Sequence, residues 1–306
     1  MSLPGPIRSN PTLSVENSCE CSQTCIHCLP TEILQKILLE TSKANLSLVC
    51  RQWRAQEKDP RFIVQKLLIH PIYNLKGLVS TMVRDVIGVN DQVRFIQNEL
   101  QERVLSHLSD GQIRFLHRPE SLSIHVIEKL CHLDQALNLI KIWEKLPLSS
   151  ENAIYSPEDP LPVKARRVRL WLEENPEKLK ETTSLDLSNL KLSGVPKELH
   201  LFTEVTSVNL AGNQLSQLPP DFGHSWHRLS HLNLSFTILS YLPEEFGVAW
   251  TELESLMFIN SAILALPQHF GKEWNKLQVL NLQGNHLSQL PQTFSDCWPG
   301  LRLLRL

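Results

Sequence analysis

Apolar residues in the C-terminal part of the chain return on a fixed spacing. Between residues 183 and 306, three sets of large apolar residues each recur every 24 positions. These sets are Val208, Leu232, Leu256, Leu280 and Leu304; Phe222, Phe246, Phe270 and Phe294; and Trp226, Trp250, Trp274 and Trp298. A further unit begins 23 residues before the first of them, at Leu185. This period predicts a repeat architecture with one small structural unit per repeat.

Alternation within each unit predicts a short strand followed by a turn and a return segment. Val208 and Leu210 share one face of such a strand, and Asn209 faces the opposite side. A proline, such as Pro219, follows the last leucine and ends the turn. We expect the phenylalanine and tryptophan of the return segment to pack inward under the convex side. One unit cannot bury its leucines alone, so the units are expected to stack into a curved solenoid.

These units resemble leucine-rich repeats over about 120 residues. That family usually carries an asparagine in the turn whose side chain hydrogen-bonds to backbone groups. The equivalent positions here are Leu190, Asn213, Thr237, Ser261 and Asn285. The side chains of threonine and serine can each donate one hydrogen bond, whereas the side chain of Leu190 can donate none. The first repeat is therefore expected to be less regular.

Helical spacing dominates the chain before the repeats. Residues 97–108 and 123–146 carry apolar side chains at intervals of three and four, which predicts two long helices. The apolar positions include Ile124, Ile127, Leu130, Leu137, Ile140 and Trp143. Residues 147–162 contain several prolines and predict a linker. Residues 163–172 predict a basic amphipathic helix that caps the open end of the solenoid.

Two shorter helices are predicted nearer the N-terminus. Residues 29–38 form one apolar stripe and residues 46–53 another, with Asn45 as the N-cap of the second. Both ends of this segment resemble an F-box, namely Leu-Pro-x-Glu-Ile-Leu from Leu29 and Leu-Ser-Leu-Val-Cys-Arg-Gln-Trp-Arg from Leu46. The spacer between the two halves is a few residues shorter than usual. A generic helical hairpin belonging to the next domain is the alternative interpretation.

An F-box resemblance implies docking onto the Skp-type adaptor of a cullin–RING ubiquitin ligase. By matching motif positions, the adaptor-binding residues would be Leu29, Pro30, Ile33, Ile37, Leu48, Val49 and Trp53. An F-box joined to repeats of this kind also resembles proteins that intracellular bacteria deliver into eukaryotic hosts.

The predicted fold class is therefore α+β, with an F-box-like hairpin, an all-α middle region and a leucine-rich-repeat solenoid. The expected boundaries are a flexible arm at 1–24, the F-box-like domain at 25–60, the helical region with its linker at 61–162, the capping helix at 163–182 and the repeats at 183–306. The chain ends within a strand at Leu306, so its last edge is expected to be sealed by a partner or to reflect truncation.

Charge and cysteine content exclude several function classes. A net charge of −2 offers no electrostatic footprint for nucleic acid or an anionic membrane. The repeats are mildly acidic, with seven Lys and Arg against ten Asp and Glu over residues 183–306. No stretch approaches the ~18 apolar residues that a membrane span needs. Seven cysteines, an odd count, favour the reducing cytosol, or the host cytosol for a delivered protein.

Two cysteine-containing stretches invite a chemical interpretation. Residues 19–28 contain four cysteines and His27, but they are crowded and no second ligand pair follows, so unligated thiols are preferred over zinc. Cys131, His132 and Asp134 lie close together, yet on a helix His132 points ~100° away from Cys131, so a relay is not expected. We expect no catalytic residue, no metal and no cofactor. The cysteine-dependent bacterial ligases with leucine-rich repeats differ, because a large catalytic domain follows their repeats.

The exposed strand residues can be compared from repeat to repeat. Most are small and polar, but Phe236, Met257 and Ile259 place large apolar groups in the middle of the predicted concave face, beside His231. Exposed apolar groups with polar surroundings are typical of binding hot spots. These four residues are the predicted target-binding site, and tolerated surface residues without a partner are the alternative.

The function predicted from sequence is a substrate receptor of a cullin–RING ubiquitin ligase. Its F-box-like segment would bind the adaptor, and its repeats would bind a target protein. A leucine-rich-repeat scaffold without a ubiquitin-ligase link is the alternative.

Overall fold

The computed structural model describes residues 89–117, 124–292, 294 and 298–306. Within this part, six helices precede six strands. The helices are α1 (Val89–Val104), α2 (Asp110–Leu116), α3 (Ile124–Lys145), α4 (Pro147–Glu151), α5 (Leu161–Glu174) and α6 (Pro176–Lys180). Two 3₁₀ helices, Leu105–His107 and Lys197–Leu201, complete the helical elements. The F-box-like segment lies outside the described residues.

Helix α3 is the centre of the helical region, and the predicted helix over 123–146 is confirmed. Its N-terminal half packs against α1 and α2 through a small core that includes Ile96, Leu100, Ile127 and Leu130. Its C-terminal half belongs to a second core that continues through the repeats. Because neighbouring elements cover both halves of α3, this helix carries apolar residues on more than one face.

Six parallel strands form a single sheet in sequence order. They are β1 (Ser184–Asp186), β2 (Ser207–Asn209), β3 (His231–Asn233), β4 (Ser255–Met257), β5 (Val279–Asn281) and β6 (Leu303–Arg305). Each strand pairs in register with the next, so that Val208 aligns with Leu232 and Leu232 with Leu256. The central residue of β1 to β5 is buried. The predicted repeat solenoid is confirmed, and each repeat is numbered below by its strand.

A ladder of tryptophans joins the return segments of successive repeats. The indole Nε1 of Trp250 donates to the carbonyl of Gly223 in the preceding repeat, and that of Trp274 donates to Gly247, both at 2.8 Å. Both glycines have positive φ, and a Cβ at either would collide with the tryptophan ring. The repeated Phe-Gly-x-x-Trp order therefore follows from close packing, because only glycine allows the next indole to approach.

The turn after each strand is held by the side chains that the repeat comparison singles out. Asn213 accepts from the backbone amides of Leu190 and Leu192 at 3.1 and 3.0 Å and donates to two carbonyls, satisfying both repeats. The shorter Thr237 and Ser261 each donate to the carbonyl of Leu234, at 2.9 and 3.0 Å. The first turn contains an extra left-handed residue, Lys191, where the sequence predicted lower regularity.

The helical region and the first repeat share one core. Leu172 of α5 is buried in the same apolar cluster as Leu185 of β1, and Arg169 of α5 forms an ion pair with Glu198 at 2.6 Å. Helix α5 begins at Leu161, two residues before the predicted start.

The predicted linker over 147–162 is built into this core. It contains α4, and its Ile154 and Tyr155 pack against the shared apolar cluster. Its Asp159 also forms an ion pair with Arg167 of α5, at 3.1 Å. Pro147, Pro160 and Pro162 lie at the starts of α4 and α5 instead of separating domains, because proline is well tolerated in the first turn of a helix.

Candidate protein-binding site

The exposed surface of the sheet is built from the residues that flank each buried strand centre. In repeats 2 to 4, these flanking residues are small, amide-bearing or apolar, apart from His231. The positions before the strand centre are Ser207, His231 and Ser255, and those after it are Asn209, Asn233 and Met257. The following turn adds a third row: Ala211, Ser235 and Ile259. The sheet thus offers hydrogen-bonding groups around a few large apolar side chains.

The structure brings the four predicted target-binding residues onto two neighbouring repeats. His231 is exposed on β3, and its ring Nδ1 lies 2.8 Å from the Oγ of Ser230. Met257 is half-buried at the end of β4, directly opposite Asn233. Ile259 accepts a backbone hydrogen bond from the amide of Phe236 at 2.7 Å. Phe236 and Ile259 are therefore direct neighbours across the repeat boundary.

Phe236 has an unusual backbone conformation. Its φ is 58°, in the left-handed region. Its four counterparts in the other turns also have positive φ, but each of them is glycine or asparagine: Asn189, Gly212, Asn260 and Gly284. Glycine and asparagine enter this region easily, whereas a bulky side chain there is strained. Phe236 is also 58 % exposed, so burial of its ring does not offset that strain.

Two further exposed apolar residues of the third repeat were missed by the comparison of strand positions. Ile238 and Tyr241 are 51 % and 55 % exposed and follow Phe236 along the same turn. Their counterparts in the other repeats are small or polar: Lys191, Gln214, Ala262 and His286 for Ile238, and Gly194, Gln217, Ala265 and Gln289 for Tyr241. Extending the comparison beyond the strand into the turn would have found them.

Charged residues lie around this part of the surface and not within it: the exposed Asp186 of the first repeat accepts from the side-chain amide of Asn209 at 3.0 Å, and the half-buried Glu254 directly precedes β4. In repeats 2 to 4, the strand flanks and turns just described carry no Asp, Glu, Lys or Arg. The charged residues of these repeats begin elsewhere. Arg228 and Glu204 pair at 2.8 Å before the strands, and Glu244 and Glu245 follow Pro243. The arrangement suits apolar contact and neutral hydrogen bonding.

The cysteine considered as a nucleophile lies in the helical core. Cys131 is buried among α1, α2 and α3, while His132 is exposed. Burial, with smaller contributions from Asp134 and Glu128, raises the pKa of the Cys131 thiol far above its ordinary value. The thiolate needed for nucleophilic attack is thus strongly disfavoured.

Asp134 instead joins the helical region to the first repeat. Its carboxylate accepts from the Oγ of Ser193 at 2.7 to 2.8 Å, and Arg103 lies 3.7 Å away. Asn138 donates to the same Ser193 Oγ at 2.8 Å and accepts from its backbone amide. Burial raises the pKa of Asp134, although Arg103 and Ser193 oppose that shift.

Among the described residues, no group of three or more His, Cys, Asp and Glu side chains is arranged to hold a metal ion. No described helix combines the length and apolar character of a membrane span. The seven predicted adaptor-binding residues, from Leu29 to Trp53, and the cysteine cluster at 19–28 lie outside the described part of the chain.

Comparison with known proteins identifies the repeat type. Residues 276–297 match the family model described as Leucine Rich Repeat. No curated protein matches the chain.

Several solved structures are similar to part of the chain. A leucine-rich-repeat protein of Leptospira interrogans is 26 % identical, with a TM-score of 0.39, over 43 % of this chain and 33 % of its own. A chain of the BIR3–SERK2 complex from Arabidopsis thaliana is 27 % identical, with a TM-score of 0.33, over 39 % of this chain and 68 % of its own. The leucine-rich-repeat domain of the type III effector XopL is 17 % identical, with a TM-score of 0.36, over 54 % of both chains. This chain thus spans about a third of the length of the Leptospira protein.

Proposed function

We propose that this leucine-rich-repeat protein is a substrate receptor, which holds a target protein on its repeats and docks onto a Skp-type adaptor of a cullin–RING ubiquitin ligase. The observation that carries the target-binding half is the exposed Phe236 beside the half-buried Met257 and Ile259, where the strand flanks and turns carry no Asp, Glu, Lys or Arg. The F-box-like sequence from Leu29 to Arg54 supports the adaptor half.

The proposed target site has the composition of a binding hot spot. Large apolar groups at its centre can be dehydrated by a partner at low cost, because no charge must lose its water. The surrounding Ser207, Asn209 and Asn233 can donate and accept hydrogen bonds at the rim. His231 adds an exposed ring at the edge of the same group.

The proposed mechanism is proximity alone. A receptor that holds the target beside a conjugating enzyme raises the local concentration of the target lysine without performing chemistry itself. The burial of Cys131 is consistent with a chain that contributes no nucleophile. In this proposal the protein works in the cytosol, that of a host cell if it is a delivered bacterial protein, and requires no cofactor, nucleic acid or membrane.

The adaptor half is tested by a pull-down of the full chain with purified Skp-type adaptor. We expect the wild type to retain the adaptor and Leu29→Ala/Pro30→Ala to lose it, because these residues would supply apolar contacts. The matched control is Leu3→Ala/Pro4→Ala, the same dipeptide in the N-terminal arm, which should retain the adaptor. Equal retention by both double variants, or none by the wild type, would leave only the repeat scaffold.

The target half is tested separately, because the two sites lie in different parts of the sequence. Phe236→Ser/Met257→Ser should abolish binding of a ubiquitinated target while adaptor binding persists. Leu29→Ala/Pro30→Ala should do the reverse. Unchanged target binding by Phe236→Ser/Met257→Ser would show that the target contacts a different surface.

A further inference from the structure

The third repeat carries a row of apolar side chains along its turn that the strand face does not include. Phe236, Ile238 and Tyr241, here called the ridge, are each more than half exposed. Single exposed apolar residues are common on protein surfaces, whereas grouped ones mark binding sites. Here three of them fall within six residues of one turn.

The ridge is specific to the third repeat. At all three positions, the other repeats have glycine, alanine, or a polar or charged side chain. In the next repeat the counterparts of Ile238 and Tyr241 are Ala262 and Ala265, so small side chains border the ridge on that side. A structural requirement of the turn would apply to every repeat, so it does not explain apolar residues in this one alone.

The backbone at Phe236 supports the same conclusion. The turn needs a left-handed residue, and the other repeats use asparagine or glycine, which adopt it with little strain. A phenylalanine is strained there and gains little from burial. Strain of this kind persists at functional sites where the side chain is needed for something other than folding.

The ridge continues into the strand-face site. The amide of Phe236 bonds to the carbonyl of Ile259, and the amide of Ile238 bonds back to Leu215 in the second repeat. The first of these bonds places Phe236, at the start of the ridge, beside the half-buried Ile259. Met257 lies two residues before Ile259 in the same repeat, so the ridge begins next to the strand-face site.

We infer that the ridge is part of the target-binding surface and takes an apolar, uncharged segment of a protein partner. This inference rests on the proposed function and extends its site from the strands to the turn edge. The occupant follows from charge, because the strand flanks and turns of repeats 2 to 4 carry no Asp, Glu, Lys or Arg that could pair with a charged segment. Burying a charge against this surface without a partner would be costly.

The test uses a displayed library of random peptides selected on the immobilised full chain. We expect the enriched peptides to carry apolar residues and no charge at their centre. Synthetic versions should bind Ile238→Gln/Tyr241→Gln at least about tenfold more weakly than the wild type, as expected for loss of a hot spot. Glutamine occupies both equivalent positions in the second repeat, at Gln214 and Gln217, so this variant should fold normally.

The matched control is Val248→Gln. Val248 is an apolar residue of the same repeat, 45 % exposed, but it lies on the return segment. The affinity of this variant for the peptides should change by less than about twofold, since Val248 lies outside the proposed contact. Circular dichroism should show the same thermal transition for each variant as for the wild type.

Other outcomes would overturn the inference. Enriched peptides with charged centres, equal affinity for Ile238→Gln/Tyr241→Gln and wild type, or no enrichment would do so. A concentration-dependent dimer lost in that variant would also do so, because a second copy would then be the occupant. If Met257→Ser weakens peptide binding and the ridge variant does not, the strand-face site survives and only the ridge is excluded.

Discussion

At the residue scale, Phe236 combines backbone strain with an exposed aromatic ring. Asparagine adopts the left-handed conformation more easily than other non-glycine residues, because its short polar side chain can hydrogen-bond locally. The same position in the first and fourth repeats is already asparagine, at Asn189 and Asn260. Stability and partner binding should therefore place opposite demands on this one position.

We predict that Phe236→Asn raises the free energy of unfolding by about 1 kcal/mol, because asparagine adopts the left-handed backbone conformation with less strain than phenylalanine. Chemical denaturation followed by tryptophan fluorescence measures the change. The reciprocal variant Asn260→Phe should lower the free energy of unfolding. A loss of stability in Phe236→Asn would mean that the ring packs more favourably than its exposure indicates.

At the element scale, α5 covers the first repeat with one face and leaves the other in water. Val168 and Leu172 are buried with Leu185 of β1, whereas Leu170 is 44 % exposed. The ion pair between Arg169 and Glu198 adds a polar contact between α5 and the 3₁₀ helix of the same repeat. The helix thus supplies the apolar neighbour that a preceding repeat would otherwise provide.

We predict that Leu172→Ala lowers the free energy of unfolding by about 2–5 kcal/mol, through lost apolar burial and the cavity left behind. Leu170→Ala, two residues away on the same helix, should change the free energy of unfolding by less than about 0.5 kcal/mol, because this side chain is already exposed in the folded protein. Denaturant titrations of both variants measure the difference. Equal effects would show that α5 does not seal the repeat.

At the scale of the whole molecule, one continuous core links the helical region to the repeats. It extends from Ala136 in α3 to Trp298 in the last return segment. The buried network of Asp134, Asn138 and Ser193 lies where α3 meets the first repeat. Its carboxylate is the part of this junction whose energy depends on pH.

We predict that Asp134 makes the junction more stable in acid. Burial raises the pKa of Asp134 above its ordinary value of 3.8. The contribution of Asp134 to folding stability is therefore greatest below pH 3.8, and it falls as the pH rises through the raised pKa. Asp134→Asn removes the titration. We therefore expect denaturation of both proteins, from below pH 3.8 upward, to show that the variant gains stability relative to the wild type as the pH rises.

A constant stability difference between wild type and Asp134→Asn across this range would contradict the raised pKa. Ser193→Ala offers a further comparison. It removes the hydroxyl that donates to the carboxylate and should raise the pKa of Asp134 further.

Much of the fold could be predicted because repetition makes local patterns reinforce one another. The spacing of Leu232, Phe246 and Trp250 is repeated often enough to indicate strand, return segment and stacking together. The linker prediction was less informative, because prolines such as Pro147 and Pro160 mark both loops and helix starts. Only the packing of Ile154 and Tyr155 against the core shows that this segment is part of the folded unit and not a linker.

The proposed site was partly visible in the sequence. Phe236, Met257 and Ile259 stand out wherever strand positions are compared between repeats. Ile238 and Tyr241 did not, because a turn residue can face either the core or the solvent. In the same stretch, Leu239 and Leu242 are buried while Ile238 and Tyr241 are exposed, although all four are apolar.

The sequence by itself determined the period, the order of the elements and the residues that form the solenoid core. These depend on local spacing, which is written along the chain. Only the tertiary structure decided that α3 and α5 share the core of the repeats, that Asp134 lies against Ser193, and that Phe236 is held in a left-handed turn. Those features arise from contacts between residues far apart in sequence, or from backbone angles that neighbouring repeats impose, and no local pattern specifies them.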